Sequence, residues 1–205
     1  MELTLTGHDC LYQVEQLQQA LFGVDAPGCA VSDVRQENET VYFTTTITVG
    51  DRTTVGTRQL SAQDQDIPTF YRCLRQSYFD AAVPHLPEYP AWGALAGVRP
   101  TKISTKYLLE GHSVDETDQL LEEEFYVTPQ RRKMALDCSD SSVKAVARTE
   151  KQDVSLYIGI PFCPTTCLYC SFTSFAIGAY RKQVEAYIDS LTRTDLVARK
   201  GETKK

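Results

Sequence analysis

The clearest alternation of apolar and polar positions lies in Thr40–Val49, TVYFTTTITV, where apolar residues recur with a period of two. That period predicts a β-strand buried on one face. Gly50 and Asp51 follow, and Gly at the first central position is typical of a two-residue II′ turn. Arg52–Leu60 supplies the returning arm, so the pattern predicts a β-hairpin over about residues 40–60.

Apolar residues at helical spacing predict helices in most of the remaining N-terminal part. The predicted helices are His8–Phe22, Pro68–Val83, Thr101–Leu109 with Thr101 as N-cap, and Pro129–Ala147 with Thr128 as N-cap. Ser113 and Glu116 have the spacing of a capping box, which predicts a further helix after Ser113. Short apolar runs predict strands at Leu3–Leu5 and Cys29–Val34. Residues 1–150 are therefore predicted to form an α+β N-terminal domain.

A second domain is predicted for residues 151–205. The polar stretch Thr149–Asp153 indicates the linker, and the run Val154–Ile160 is rich in β-branched and aromatic residues. Such a run predicts a buried strand. A helix of about 20 residues is predicted near the end, with Tyr187 in its apolar stripe.

Three cysteines directly follow this predicted strand. Cys163, Cys167 and Cys170 have the spacing C-x3-C-x2-C. A short loop that leaves the end of a strand can point three thiolates at one centre. Electron-transfer clusters usually take four Cys ligands. Three ligands on a [4Fe–4S] cluster would leave one iron free to hold a substrate or cofactor.

A zinc site is the alternative for these cysteines, in a non-enzymatic metal-binding module. Zinc sites usually contain a C-x2-4-C pair and a second pair of ligands. The other four cysteines stand singly, at Cys10, Cys29, Cys73 and Cys138. Folding could still bring His85 or His112 to the loop.

Composition narrows the class of protein. The chain has 205 residues, 42% of them hydrophobic, and a formal net charge of −6, which fits one or two soluble domains. No dense basic block predicts a nucleic-acid partner, and no apolar run reaches the ~20 residues that span a bilayer. Seven cysteines, an odd number, fit a reducing compartment better than a disulfide framework. We therefore expect a cytoplasmic protein without nucleic-acid or membrane partners.

A second candidate site lies in Trp92–Lys102, WGALAGVRPTK. Gly97 indicates a tight turn that presents the cations Arg99 and Lys102 near a helix start. Such an arrangement favours an anion site for a carboxylate or phosphate. The alternative is an interdomain loop in which Trp92 fills a core.

The cysteine loop resembles that of the radical S-adenosylmethionine (SAM) enzymes, C-x3-C-x-aromatic-C, with Tyr169 as the aromatic residue. The resemblance implies that Cys163, Cys167 and Cys170 bind a [4Fe–4S] cluster whose free iron chelates SAM. An electron delivered through the cluster would then cleave SAM to a 5′-deoxyadenosyl radical. The resemblance also implies that Tyr157 and Tyr169 flank SAM, and that flavodoxin or ferredoxin donates the electron.

Trp92–Ile103 together with Tyr157–Phe172, YIGIPFCPTTCLYCSF, resembles the oxygen-independent coproporphyrinogen dehydrogenases of the HemZ type. That resemblance implies oxidative decarboxylation of coproporphyrinogen III to protoporphyrinogen IX, in porphyrin and haem biosynthesis. A haem-binding protein of the HemW kind, which decarboxylates nothing, is the alternative within the same superfamily. Its relatives usually begin near their cluster strand, so the N-terminal part favours the first reading.

The resemblance implies a barrel of about six βα units, which takes on the order of 200 residues. Asp153–Lys205 can supply one unit. The expected fold is therefore an α+β N-terminal domain followed by the first βα unit of an incomplete radical-SAM (β/α) barrel. We expect the chain to be a truncated product of a longer enzyme and to be inactive by itself.

Overall fold

The chain divides into two units, Met1–Glu150 and Lys151–Lys205. The structure is a computed structural model that describes residues 1–96, 99–154, 156–165, 167–168 and 170–201. It is α+β, with a mixed sheet and helices. Each unit is described by itself below.

The first unit contains four strands and five α-helices among its described residues. The strands are β1 (Glu2–Thr6), β2 (Cys29–Glu37), β3 (Thr40–Val49) and β4 (Arg52–Ser61), and the helices are α1 (Leu11–Phe22), α2 (Ile67–Ala82), α3 (Thr101–Leu109), α4 (Val114–Glu123) and α5 (Pro129–Ala147). Short 3-10 turns occupy Ala62–Asp64 and Val83–His85.

The four strands form one sheet in the order β1-β2-β3-β4. β1 runs parallel to β2, and the other neighbours are antiparallel. The hairpin of β3 and β4 pairs Val49 with Arg52 across a two-residue loop. Gly50 in this loop has φ 58° and Asp51 has no positive φ, as a II′ turn requires.

The main core lies between the sheet and helices α1 and α2. Its fully buried side chains include Leu17, Phe43, Leu74 and Tyr78. The Tyr78 hydroxyl donates to Gln18 Oε1 at 2.9 Å, and burial raises the pKa of Tyr78. This bond satisfies a polar group that would otherwise be costly to bury.

Helix α2 approaches β4 closely because position 56 is glycine. A Cβ on Gly56 would lie 2.0 Å from the carbonyl oxygen of Ser77 and 2.8 Å from the amide nitrogen of Ala81. Both atoms are backbone of α2, so no side-chain rotation could relieve the clash. Gly56 therefore fixes how tightly the helix packs on the sheet.

A smaller core joins α3, α4 and α5 around Leu121, Val127 and Ala135. Trp92 packs against this core, and the guanidinium of Arg131 lies 5.6 Å from its ring centroid. The environment of Trp92 matches the core-filling alternative for this residue.

The helix starts show which capping signals operate. Ser113 and Glu116 form the capping box of α4, with both reciprocal hydrogen bonds present. Thr128 precedes α5, but its hydroxyl donates to the Ala91 carbonyl at 3.0 Å rather than capping the helix. Pro100, and not Thr101, is the N-cap of α3, so that detail of the prediction is wrong.

Among its described residues, the second unit contains two strands of two residues each and one long helix. These elements are β5 (Phe162–Cys163), β6 (Phe175–Ala176) and α6 (Ile177–Gly201). β5 and β6 pair in parallel, and Tyr180 interrupts the helical geometry of α6 with φ −113° and ψ 18°.

The predicted buried strand at Val154–Ile160 is wrong for this structure. The described residues 154 and 156–160 have no strand geometry, and the side chains of Val154 and Leu156 are 88% and 76% exposed. A parallel strand needs neighbours for its backbone groups and cover for both faces. No described strand pairs with this segment.

Candidate functional site

Cys163 and Cys170 are held by a small hydrogen-bonded framework in the second unit. Cys163 ends β5 and pairs with Ala176 of β6. The amide of Phe175 donates to the Pro161 carbonyl at 2.7 Å, which closes the loop between the two strands. The amide of Cys170 donates to the Cys167 carbonyl at 3.0 Å, so a turn lies between the second and third cysteines.

An open pocket of about 410 Å³ adjoins this framework. Cys163 and Cys170 both line it, together with Tyr157 and Ser174. Cys167 is exposed and does not line the pocket. The structure therefore brings two of the three cysteines to one cavity.

The three thiols are not assembled into one ligand set. Across the residues that the structure describes, no group of three or more His, Cys, Asp or Glu could hold a metal ion. The ligand role of Cys163, Cys167 and Cys170 stays a prediction.

Tyr187 of α6 fixes the segment that leads into Cys163. Its ring lies edge-on to Phe162, with centroids 5.6 Å apart. Its hydroxyl donates to the Gly159 carbonyl. The helix therefore holds both the pocket wall and the residue before the first cysteine.

Ser174 has the one buried side-chain polar atom that lacks a hydrogen-bond partner among the residues that the structure describes. This atom is its hydroxyl oxygen, and Ser174 lines the pocket. Buried polar atoms are nearly always paired, so an unpaired one indicates a missing partner. Cysteine thiols are the ligands that iron–sulfur clusters take, so the chemistry of this lining fits such a cluster, while the third thiol, that of Cys167, lies outside the pocket lining.

Of the two tyrosines predicted to flank SAM, the structure describes Tyr157 but not Tyr169. Tyr157 lines the pocket and is 84% exposed. Tyr169 lies outside the described residues. The structure thus puts one of these side chains beside the cysteines.

The predicted anion site at Arg99 and Lys102 lies on the surface of the first unit. Both residues are exposed, and the Lys102 amide donates to the Arg99 carbonyl at 3.1 Å at the start of α3. Gly97, which carries the predicted tight turn, lies outside the described residues. The anion site stays a prediction.

Sequence reasoning gave Tyr187 no functional role and did not single out Ser174. Tyr187 was recognisable as part of the apolar stripe of the last helix, but no local pattern indicates its contact with Gly159. Ser174 carries no sequence signal, because its burial depends on the pairing of β5 with β6.

Two curated proteins are similar to part of this chain. A protein of Bacillus subtilis strain 168 named oxygen-independent coproporphyrinogen-III oxidase-like protein HemZ is 35% identical over 99 residues, which cover 47% of this chain and 20% of the relative. A Mannheimia haemolytica protein named oxygen-independent coproporphyrinogen III oxidase is 36% identical over 55 residues, 27% of this chain and 37% of the relative. The matches thus span well under half of each relative.

No family model matches the chain, and no solved structure matches it. Within the described residues, every helix is too short or too polar to traverse a bilayer.

Proposed function

We propose that this chain carries the cluster-binding loop of a radical-SAM oxidoreductase of the oxygen-independent coproporphyrinogen oxidase type. The observation that carries the proposal is the pocket shared by Cys163, Cys170 and the Ser174 hydroxyl, which has no partner within the described part of the chain. The names of the two relatives support the coproporphyrinogen theme. The spacing C-x3-C-x2-C supports the cofactor class.

Cys163, Cys167 and Cys170 would hold a [4Fe–4S] cluster in this proposal. Cys163 and Cys170 already line the pocket, and the third thiolate would come from Cys167, whose carbonyl accepts the Cys170 amide. Tyr157 and Tyr169 would flank SAM. With SAM bound, such a cluster supplies the one-electron chemistry that generates a hydrogen-abstracting radical.

The protein's own contribution is to hold and orient these groups. Tyr187 keeps Gly159 and Phe162 in place, which positions the strand that ends at Cys163. Ser174 offers a hydroxyl toward the pocket that can donate to a polar atom of the bound cofactor. All of these contacts form within the second unit.

The proposed reaction converts two propionate side chains of coproporphyrinogen III to vinyl groups. Each propionate loses one hydrogen atom, CO2 and one further electron. The hydrogen atom would pass to the radical that SAM supplies when bound, and the electron would pass to a one-electron acceptor. Flavodoxin or ferredoxin is the proposed donor of the electron that starts each turnover.

The exposed apolar residues at 154 and 156–160 support the barrel part of the proposal. Val154, Leu156 and Tyr157 expose 88%, 76% and 84% of their surfaces, and soluble proteins rarely leave such clusters uncovered. In the proposed enzyme this segment, which is not a strand in the structure, would change to the first strand of a parallel (β/α) barrel. Neighbouring strands would then cover both of its faces.

The experiment is anaerobic turnover by the longest polypeptide that the native cell produces, loaded with iron and sulfide. The assay contains coproporphyrinogen III, SAM and reduced flavodoxin, and mass spectrometry follows the loss of two CO2 per molecule. We expect protoporphyrinogen IX from the native sequence and none from the variant with Cys163, Cys167 and Cys170 changed to Ala. Tight haem binding without any decarboxylation would contradict the proposal and favour the HemW kind of protein.

A further inference from the structure

The first unit contains an open pocket of about 310 Å³ between α2, α3 and α4. Its apolar wall comes from Ile103, Tyr107, Leu120 and Phe125. Pockets for small molecules usually start near 300 Å³ and combine apolar walls with a few polar groups. The size and lining of this pocket therefore suit a small ligand with an apolar body.

Three cations line the same pocket, and two of them are neutralised by neighbours. Arg72 Nε lies 2.7 Å from Glu124 Oε2. Lys106 Nζ lies 3.6 Å from Glu110 Oε1, and Glu110 also lines the pocket. Within the described part of the chain, these pairs leave the third cation, Arg75, without a neutralising neighbour.

Arg75 is half-buried and makes no hydrogen bond or ion pair with any residue that the structure describes. It also lines a second, smaller pocket of about 140 Å³ beside Gln13 and Gln16 of α1. Burial lowers the pKa of Arg75, with an opposing effect from Tyr71, yet a guanidinium remains charged at physiological pH. Desolvated charges are normally paired, so the unpaired state of Arg75 is costly.

We infer that this pocket binds a small carboxylate with an apolar body, and that Arg75 receives the carboxylate. A guanidinium presents its donors in a planar fork that matches a carboxylate with two parallel hydrogen bonds. The aromatic and aliphatic wall would bury the remainder of the ligand. A bare oxyanion would gain nothing from that wall, so an acid with an apolar body should bind more tightly than inorganic phosphate.

The test uses 3-phenylpropionate as the probe and isothermal titration calorimetry on the 205-residue chain. The neutral isostere 3-phenylpropanamide and inorganic phosphate serve as comparison ligands. We expect measurable binding of the acid and binding at least about tenfold weaker for both comparison ligands, because charge-assisted hydrogen bonds contribute that much. Equal affinity for the amide, or for phosphate, would overturn the inference.

Arg75→Gln and Arg148→Gln form the matched pair of variants. Both remove one positive charge, but Arg148 is exposed at the end of α5, away from the pocket lining. Arg75→Gln should weaken binding of the acid by about tenfold or more, and Arg148→Gln should leave it unchanged. Unchanged binding in Arg75→Gln would overturn the assignment.

Thermal unfolding separates a binding role of Arg75 from a structural one. Since the guanidinium has no partner among the described residues, Arg75→Gln should unfold at the same temperature as the wild type or higher. Arg75→Lys keeps the charge and loses the planar fork, so this variant should bind the acid with intermediate affinity. It replaces Arg75→Gln in the binding test if Arg75→Gln fails to fold. Wild-type affinity in Arg75→Lys would contradict recognition by the fork.

Discussion

Tyr187 lies edge-on to Phe162, with 5.6 Å between the ring centroids, and the same side chain donates its hydroxyl to the Gly159 carbonyl. Phe162 directly precedes the first cysteine of the loop. Through one side chain, α6 therefore fixes the approach to Cys163. The edge-to-face pair and the hydrogen bond each contribute on the order of 0.5–1.5 kcal/mol.

Tyr187→Phe should loosen the segment before Cys163, because it removes the hydroxyl and keeps the ring. We expect backbone amides of residues 156–163 to exchange with solvent roughly 2- to 10-fold faster, measured by hydrogen–deuterium exchange with mass spectrometry. Tyr180→Phe is the matched control, since the ring of Tyr180 contacts Phe175 and no hydroxyl bond is described for it. Equal exchange in the two variants would contradict the bracing role of Tyr187.

Gly56→Ala should destabilise the first unit by roughly 1–3 kcal/mol, because its methyl group would collide with the backbone of α2. The new Cβ would lie 2.0 Å from the carbonyl oxygen of Ser77. Urea unfolding monitored by circular dichroism measures the loss. Thr57→Ala, at the next and exposed position of β4, should cost about 1 kcal/mol or less. A Gly56→Ala variant as stable as Thr57→Ala would show that α2 can move away freely.

Arg58→Met should destabilise the fold, because it removes the cationic partner of the half-buried Asp80 carboxylate. Arg58 pairs with Asp80 and also donates to the Tyr126 hydroxyl. Burial raises the pKa of Asp80 and Arg58 opposes that rise, so the variant should raise the pKa of Asp80 further. We expect a loss of about 1–3 kcal/mol near neutral pH, measured by urea unfolding.

The same variant should show a distinctive pH dependence. A carboxyl whose folded-state pKa lies above its unfolded value lowers stability as pH rises through the folded pKa. The deficit of Arg58→Met relative to wild type should therefore be smaller near about pH 4 than near about pH 7. Adding Asp80→Asn to Arg58→Met should remove most of that pH dependence. An equal deficit at both pH values would contradict the role of Asp80.

The hairpin and the helices of the first unit are predictable because their determinants are local. The period-two pattern of Thr40–Val49 and the Gly50 turn encode strand and register, and the capping box at Ser113 encodes a helix start. Thr128 shows the limit of such signals. Its hydroxyl has a tertiary partner, the Ala91 carbonyl, that competes with capping.

The features that the sequence does not predict depend on contacts between residues that lie far apart in the chain. Val154–Ile160 has strand-forming residues, yet strand geometry also needs neighbours, and no described strand pairs with it. The position of Arg75, which has no ion-pair partner in the part of the chain that the structure describes, depends on the packing of α2, α3 and α4. At the candidate site, the spacing of the cysteines indicated a ligand set, but the shared pocket of Cys163 and Cys170 follows from the pairing of β5 with β6.

The most direct test of the cluster proposal is the iron and acid-labile sulfide content of the anaerobically assembled chain. We predict near-equal amounts, about four of each per chain for a [4Fe–4S] cluster. Changing Cys163, Cys167 or Cys170 to Ala should abolish this content, while Cys138→Ala, an exposed cysteine on α5, should retain it. Zinc without sulfide, or full iron content in the variant that lacks all three loop cysteines, would contradict the account.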